Sequence, residues 1–264
     1  MCSVWGCGIS PAEYAFRTAE KQGWHPVRFE TALFSLTGFI KHRSEDNKEW
    51  VVYIEGDGSA WKNRHTLSDD PTPRDPTGLR LALLDPAPNI LYLARPGQYS
   101  ETSSPECDPA YWSDRRYAPE LIRTFNNILD KFRAKHDIKK YGLIGFSGGG
   151  TLAALLAAFR SDISWLVTVC ANLDHAAWTA YHGVSPLVHS LNPADFTDKL
   201  QLIPQIHFAG EKDSIVPETV IRSYRKRMSD PAFTKIAVIP GYGHHCCWTK
   251  NWKQLQTKQN AVIK

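Results

Sequence analysis

Five consecutive residues, Gly145-Phe146-Ser147-Gly148-Gly149, carry the strongest chemical signal in the chain. They match G-x-S-x-G and stand between a short apolar run, Tyr141 to Gly145, and an alanine- and leucine-rich stretch, Thr151 to Phe159. A strand that feeds directly into a helix makes a very tight bend. Small residues two before and two after the serine prevent a collision there, and Gly145 and Gly149 meet that need. The hydroxyl of Ser147 is then raised above the strand end. The Gly148 N–H, at the helix N-terminus, is aimed where an oxyanion would develop. The chemistry this permits is nucleophilic attack on a carbonyl. No lysine follows the glycines and G-x-G-x-x-G spacing is absent, which argues against a phosphate or dinucleotide cradle.

A serine hydroxyl is a weak nucleophile near neutral pH, so it needs a base, and the base needs an orienting acid. After a strand–serine–helix bend of this kind the chain order is serine, then acid, then histidine. Asp213, just past the predicted strand Gln205 to Ala209, is the candidate acid, and Asp174 is the alternative. His244, after the predicted strand Lys235 to Ile239, is the candidate base. Its neighbour His245 points elsewhere and is the alternative. His175 is a further histidine near the presumed site. A second oxyanion donor is expected from the loop Glu55-Gly56-Asp57-Gly58, with the Asp57 N–H as candidate. The Asp57 carboxylate suits that place only if it turns away or pairs with Arg95 or Lys62. The run His244-His245-Cys246-Cys247 has metal-ligand residue types. Adjacent residues rarely chelate one ion together, so no metal is expected, and no cofactor motif is present.

The elements that must position these residues are read from periodicity. Strands are predicted at Leu33 to Ile40, Trp50 to Ile54, Ile90 to Ala94, Tyr141 to Gly145, Ile163 to Ala171, Gln205 to Ala209 and Lys235 to Ile239. Most are apolar on both faces. Helices are predicted from Pro119 through Arg133, at Thr151 to Phe159, at Pro217 to Arg227 and at Asn251 to Gln259. Strands buried on both faces and alternating with helices imply α/β architecture, a mostly parallel sheet covered by helices on both faces. One domain over residues 31–264 is expected, after an N-terminal extension, 1–30. Irregular excursions at about 59–80, 97–117 and 172–203 are expected to cap one end. Trp61, Trp112 and Trp178 fall in them and could line an acyl pocket or form cap core.

Composition sets bounds on the rest. The chain has 264 residues, 42% apolar and 22% charged, with a formal charge of +4. The densest basic stretch, Arg222, Arg225, Lys226 and Arg227, reads as one wet helix face, so nucleic acid is not an expected partner. No apolar run approaches the length of a membrane span. Val4-Trp5-Gly6-Cys7 looks like the tail of a lipoprotein signal lacking the apolar region ahead of it. A lipid anchor through Cys7 would place the protein in a bacterial envelope. Two incidental cysteines would leave the cytoplasm open. In an exported protein Cys107, Cys170, Cys246 and Cys247 could form disulfides of unassigned pairing.

The ordered set of Ile54-Glu55-Gly56-Asp57-Gly58, the Ser147 bend, Gly210-Glu211-Lys212-Asp213 and Gly243-His244 resembles the α/β-hydrolase superfamily from about residue 33 to the end. The chain also resembles a bacterial, lipoprotein-like group of serine hydrolases through Tyr53 to Gly58, Ala94-Arg95-Pro96 and Asn172-Leu173-Asp174-His175. The resemblance implies an α/β-hydrolase fold, a Ser147–His244–Asp213 triad and hydrolysis of an ester or amide of a small-molecule acyl substrate. A peptidase or acyltransferase on the same residues, or a non-catalytic binding protein on this scaffold, are the alternatives. Glu55 stands where many members of the wider superfamily carry histidine.

Overall fold

The buried apolar runs form the centre of a single twisted sheet. The computed structural model describes residues 9–63, 65–99 and 108–263. Cys2, Cys7 and Cys107, and with them the lipid-anchor reading, lie outside the described residues. In chain order the elements are α1 (Pro11–Lys21), β1 (His25–Glu30), β2 (Ser35–His42), β3 (Glu49–Ile54), β4 (Trp61–Asn63), β5 (Thr66–Leu67), α2 (Thr77–Leu84) and β6 (Asn89–Leu93). There follow α3 (Pro119–His136), β7 (Lys140–Phe146), α4 (Gly148–Phe159), β8 (Ile163–Val169), α5 (His175–His182), α6 (Thr197–Leu200), β9 (Gln205–Gly210), α7 (Glu218–Lys226), β10 (Thr234–Ile239) and α8 (Trp252–Ile263). The main sheet has eight strands in the order β1-β2-β6-β3-β7-β8-β9-β10. The pairs β1–β2 and β2–β6 are antiparallel, and every later pair is parallel.

Alternating side chains of each central strand feed two cores. Val52 and Ile54 of β3, Leu91 and Leu93 of β6 and Leu143 of β7 pack with α3, α4 and α7. Tyr53, Ile90, Tyr92 and Ile144 face the other way, with α1, α2 and α8. Each fully buried apolar side chain contributes about 1.5–3 kcal/mol. In α3 the buried residues Leu121, Ile122, Phe125, Ile128, Leu129 and Phe132 follow the predicted stripe, whereas α4 is buried all round from Gly148 to Ala158. Across the second core, Trp252 Nε1 donates to the Tyr53 hydroxyl at 3.2 Å, and that hydroxyl donates to Asp85 at 2.5 Å. Among the described residues no helix is long and apolar enough to cross a membrane.

Three expectations are corrected. Residues 11–30 do not form an extension outside the domain. Strand β1 is hydrogen-bonded to β2 as the sheet edge, and Ala15 and Ala19 of α1 are fully buried in the second core. The first predicted strand starts later, at Ser35, because Thr31 to Phe34 close the β1–β2 turn. There the Thr31 Oγ1 accepts the Phe34 N–H at 3.0 Å, and the Thr31 N–H donates to the Phe34 carbonyl at 3.0 Å. The stretch 172–203 is not wholly irregular, since α5 begins with the Asp174 side chain capping the Ala177 N–H and ends on Gly183 in the left-handed region.

Candidate active site

Ser147 occupies the bend between β7 and α4 with φ 50° and ψ −124°, a conformation that costs a non-glycine residue on the order of 1–3 kcal/mol. Its surroundings over-determine it. The Ser147 N–H donates to the Val169 carbonyl of β8 at 2.8 Å, and the Gly150 N–H donates back to the Ser147 carbonyl at 2.9 Å. The flanking glycines are there for want of space. A Cβ on Gly145 would lie 2.3 Å from the Gly149 carbonyl oxygen, and one on Gly149 would lie 2.2 Å from that of Ile54.

Loops from the C-terminal ends of β9 and β10 bring the candidate acid and base to the serine. His244 Nε2 lies 3.0 Å from Ser147 Oγ, and His244 Nδ1 lies 2.8 Å from Asp213 Oδ2. The other oxygen, Asp213 Oδ1, accepts the N–H groups of Ile215 and Val216 at 2.9 and 2.8 Å, which fixes the carboxylate plane. The Lys212 N–H donates to the Tyr242 carbonyl at 2.7 Å and ties the two loops together. Burial pushes the Asp213 carboxyl up, but the hydrogen bond and charge of His244 and the Val216 N–H outweigh it and hold it below the usual carboxylate range. His245 is exposed, stacks near Phe146 and His244, and has no hydrogen bond to Ser147. Asp174 is fully buried elsewhere, bonded to Asn192, Ser223 and Arg227, and fastens α5 to α7. His175 is buried, stacked on Tyr117 with its Nε2 3.3 Å from the Ser190 carbonyl.

Asp57 and Gly148 come together on the other side of the serine. Among the described residues neither backbone N–H donates to a protein acceptor. The Asp57 carboxylate turns aside into an ion cluster. Arg95 donates to its Oδ1 at 2.5 Å, and Arg116 donates to its Oδ2 at 3.0 Å. Lys62 is not a partner, because it pairs with Asp69. Burial raises the Asp57 carboxyl, but the two guanidinium charges more than reverse this and hold it below the usual carboxylate range. Glu55 is turned away from the serine. Its carboxylate accepts the N–H groups of Gly56, Gly78 and Leu79 at 2.9, 3.0 and 3.1 Å and the Tyr92 hydroxyl at 2.9 Å. Glu55 thus fastens the loop to the first turn of α2. Burial, exceeding these four bonds, pushes its carboxyl above the ordinary value. The sequence reading missed Arg116. Its only visible signal is a basic residue in an excursion, 59 positions from the aspartate it holds.

The serine opens into a cavity of about 1300 Å³ lined by residues from all three excursions. Trp61 and Trp178 line it. Trp112 does not, being buried with its Nε1 donating to the Ser68 carbonyl at 3.0 Å. The cavity mixes apolar side chains such as Leu187, Val188 and Ile215 with Arg74, Arg116 and Asn172. Behind the acid, the thiol of Cys170 is buried and free, and burial and Asp213 push it up. Its sulfur and ligand atoms of Asp213 and His244 lie within 4.8 Å of one another. The acid and imidazole are already bonded to each other there, so the thiol acts as packing behind a hydrogen-bonded pair. Among the described residues Cys246 and Cys247 are joined to each other and Cys170 is free, and Cys107 lies outside the described residues.

This sheet order, with a serine on the β7–α4 bend, defines an α/β-hydrolase fold. The model of the family described as Serine hydrolase (FSH1) matches residues 93–253, and the chain belongs to that family. It is a serine hydrolase of the α/β fold. Solved structures with the same fold include an esterase from Pyrococcus furiosus, at 14% identity and a TM-score of 0.63, with 97% of this chain and 95% of that one covered. An alpha/beta hydrolase from Penicillium sp. sh18 is 13% identical with a TM-score of 0.63, covering 91% and 98%. An a/b serine hydrolase without lid from Xanthomonas campestris is 11% identical with a TM-score of 0.60, covering 91% and 93%. No curated protein sequence matches the chain.

Proposed function

We propose that the protein hydrolyses carboxylic esters of small-molecule acyl substrates through an acyl-enzyme on Ser147. The observation that carries this reading is the continuous relay from Ser147 Oγ through His244 to Asp213, with contacts of 3.0 and 2.8 Å. His244 Nε2 takes the serine proton as Ser147 Oγ attacks the carbonyl carbon. The N–H groups of Asp57 and Gly148 receive the oxyanion. The tetrahedral adduct collapses, the alcohol leaves with the proton from His244, and the acyl group stays on Ser147. Water then gives its proton to His244, attacks the ester carbon and releases the acid. Asp213 holds the imidazole in the tautomer with hydrogen on Nδ1 and stabilises its charged form. The esterase from Pyrococcus furiosus shares this fold and supports an ester as the substrate.

The test is labelling by a fluorophosphonate, with turnover on esters of increasing acyl length and on matched amides. Wild type is expected to label at Ser147 and turn over the esters faster than the amides. Ser147→Ala should not label and should lose on the order of a million-fold in kcat. Turnover retained in that variant refutes the mechanism.

A further inference from the structure

Cys170 packs behind the Asp213–His244 pair, and the fold fixes its place there. It follows directly on β8, and its N–H donates to the Phe208 carbonyl of β9 at 2.9 Å. That bond holds the residue against the strand whose C-terminal loop carries Asp213. Trp248, fully buried, clasps the histidine loop, its Nε1 donating to the Gly243 and His244 carbonyls at 3.1 Å each. Cys170, Asp213 and His244 are all buried. Among the described residues they are the one group of three histidine, cysteine or acidic side chains whose ligand atoms lie within 4.8 Å of one another. The thiol is free.

Sulfur, imidazole and carboxylate together suit a thiophilic divalent cation, and not magnesium or calcium. Zinc takes sulfur at about 2.3 Å and nitrogen or oxygen at about 2.0–2.2 Å, so tetrahedral neighbours stand about 3.4–3.6 Å apart. His244 Nδ1 and Asp213 Oδ2 would open from 2.8 Å to about 3.4 Å. The sulfur, at most 4.8 Å from either ligand, would close to about 3.6 Å. A thiolate and a carboxylate cancel the charge of the ion, as burial demands, and water can take the fourth position. We propose that Cys170, Asp213 and His244 form an inhibitory site for a thiophilic divalent cation, with Zn²⁺ as the ion. Binding replaces the Asp213–His244 hydrogen bond with metal on Nδ1. The imidazole proton then sits on Nε2, which has no lone pair left for the serine proton, and the thiol proton passes to solvent. His244 lines the cavity with Cys170 and Asp213 behind it, so the ion enters past a ring held by two hydrogen bonds and inhibition sets in slowly. The inhibition rests on the ester-hydrolase reading of Ser147, whereas the cation binding does not.

The test adds Zn²⁺ to chelator-treated protein and follows ester turnover, fluorophosphonate labelling and, by equilibrium dialysis, bound metal. In wild type, turnover and labelling should fall together over time and return on chelation, while Mg²⁺ and Ca²⁺ change neither. Cys170→Ser and Cys170→Ala should keep their Zn²⁺-free turnover and need on the order of a hundredfold more Zn²⁺ for the same inhibition. Wild type should hold about one more Zn²⁺ per chain than Cys170→Ser, and with Cd²⁺ the two should differ by a thiolate–cadmium ultraviolet absorption. Cys246→Ser/Cys247→Ser should keep full sensitivity. Equal sensitivity in wild type and the Cys170 variants, or sensitivity lost with Cys246 and Cys247, overturns the inference. So does wild type that stays active and labelled under Zn²⁺, a result that needs no variant to fold. If the Cys170-dependent ion binds but no ester is hydrolysed and Ser147 does not label without it, the ester-hydrolase reading fails and the cation site stands.

Discussion

Asp57→Asn isolates the work of the ion cluster from that of the Asp57 backbone. The substitution leaves the N–H in place and removes the charge that two guanidinium groups share. Arg95 is only 3% exposed and Arg116 12%, so neither can recover its lost partner from water. Removing one member of a buried pair typically costs 3–5 kcal/mol. The asparagine keeps one acceptor oxygen for one arginine, which places the expected loss near the lower end, about 3 kcal/mol. A small domain has only about 5–15 kcal/mol in total, so the variant should fold but unfold at clearly lower urea. If the loop shifts enough to withdraw the N–H from the oxyanion, kcat on an ester falls by up to about 100–1000-fold. The pH dependence has a definite sign. The folded-state carboxyl is held below its unfolded value, so its stabilisation is complete above about pH 4, near the unfolded pKa. It is lost as pH falls through the lower folded value, and the gap between wild type and variant should close in acid. Unfolding free energies within about 1 kcal/mol of each other near neutral pH, or a gap that persists in acid, would refute the reasoning.

Three other outcomes follow from the same geometry. His244→Ala should lower kcat by at least about ten-thousand-fold, while His245→Gln, which has no bond to Ser147, should stay within about tenfold on the same ester. Gly149→Ala drives a Cβ to 2.2 and 2.4 Å from the Ile54 and Glu55 carbonyl oxygens, so a loss of about 3 kcal/mol or more is expected in urea unfolding. His207, buried between Thr168 and Gln205, is pushed down to about 3 by burial. Between that value and about 6.5 the unfolded chain binds a proton that the fold refuses, so stability declines as pH falls. The cost is about 1.4 kcal/mol at one pH unit below 6.5, and His207→Gln should remove that part of the slope in urea titrations.

The parts of this molecule legible beforehand are those governed by local rules. The bend at Ser147 was legible because steric demand at fixed offsets leaves a glycine pattern. Strands such as Trp50 to Ile54 showed because burial on both faces leaves no polar interruption. Strand β1 escaped because an edge strand with an exposed side, His25-Pro26-Val27-Arg28-Phe29-Glu30, has little apolar signal. Helix α5 left readable signs, Asp174 at its start and Gly183 past its end, but its eight residues are too few for a convincing period. Arg116 and the anchoring role of Glu55 were invisible for another reason. Each acts across more than twenty residues of chain, and only the folded sheet brings their partners near.

The cramped conformation at Ser147 has a consequence beyond the proposed chemistry. It persists only while β3, β7, β8 and the first turn of α4 are all seated, since each supplies a contact that forbids relaxation. If Ser147 is the nucleophile proposed above, its reactivity is a built-in gauge of native assembly. In a denaturant series, fluorophosphonate uptake should vanish with or before the loss of helical signal and never after it, so a single labelled residue can count the fully formed molecules in a mixed population.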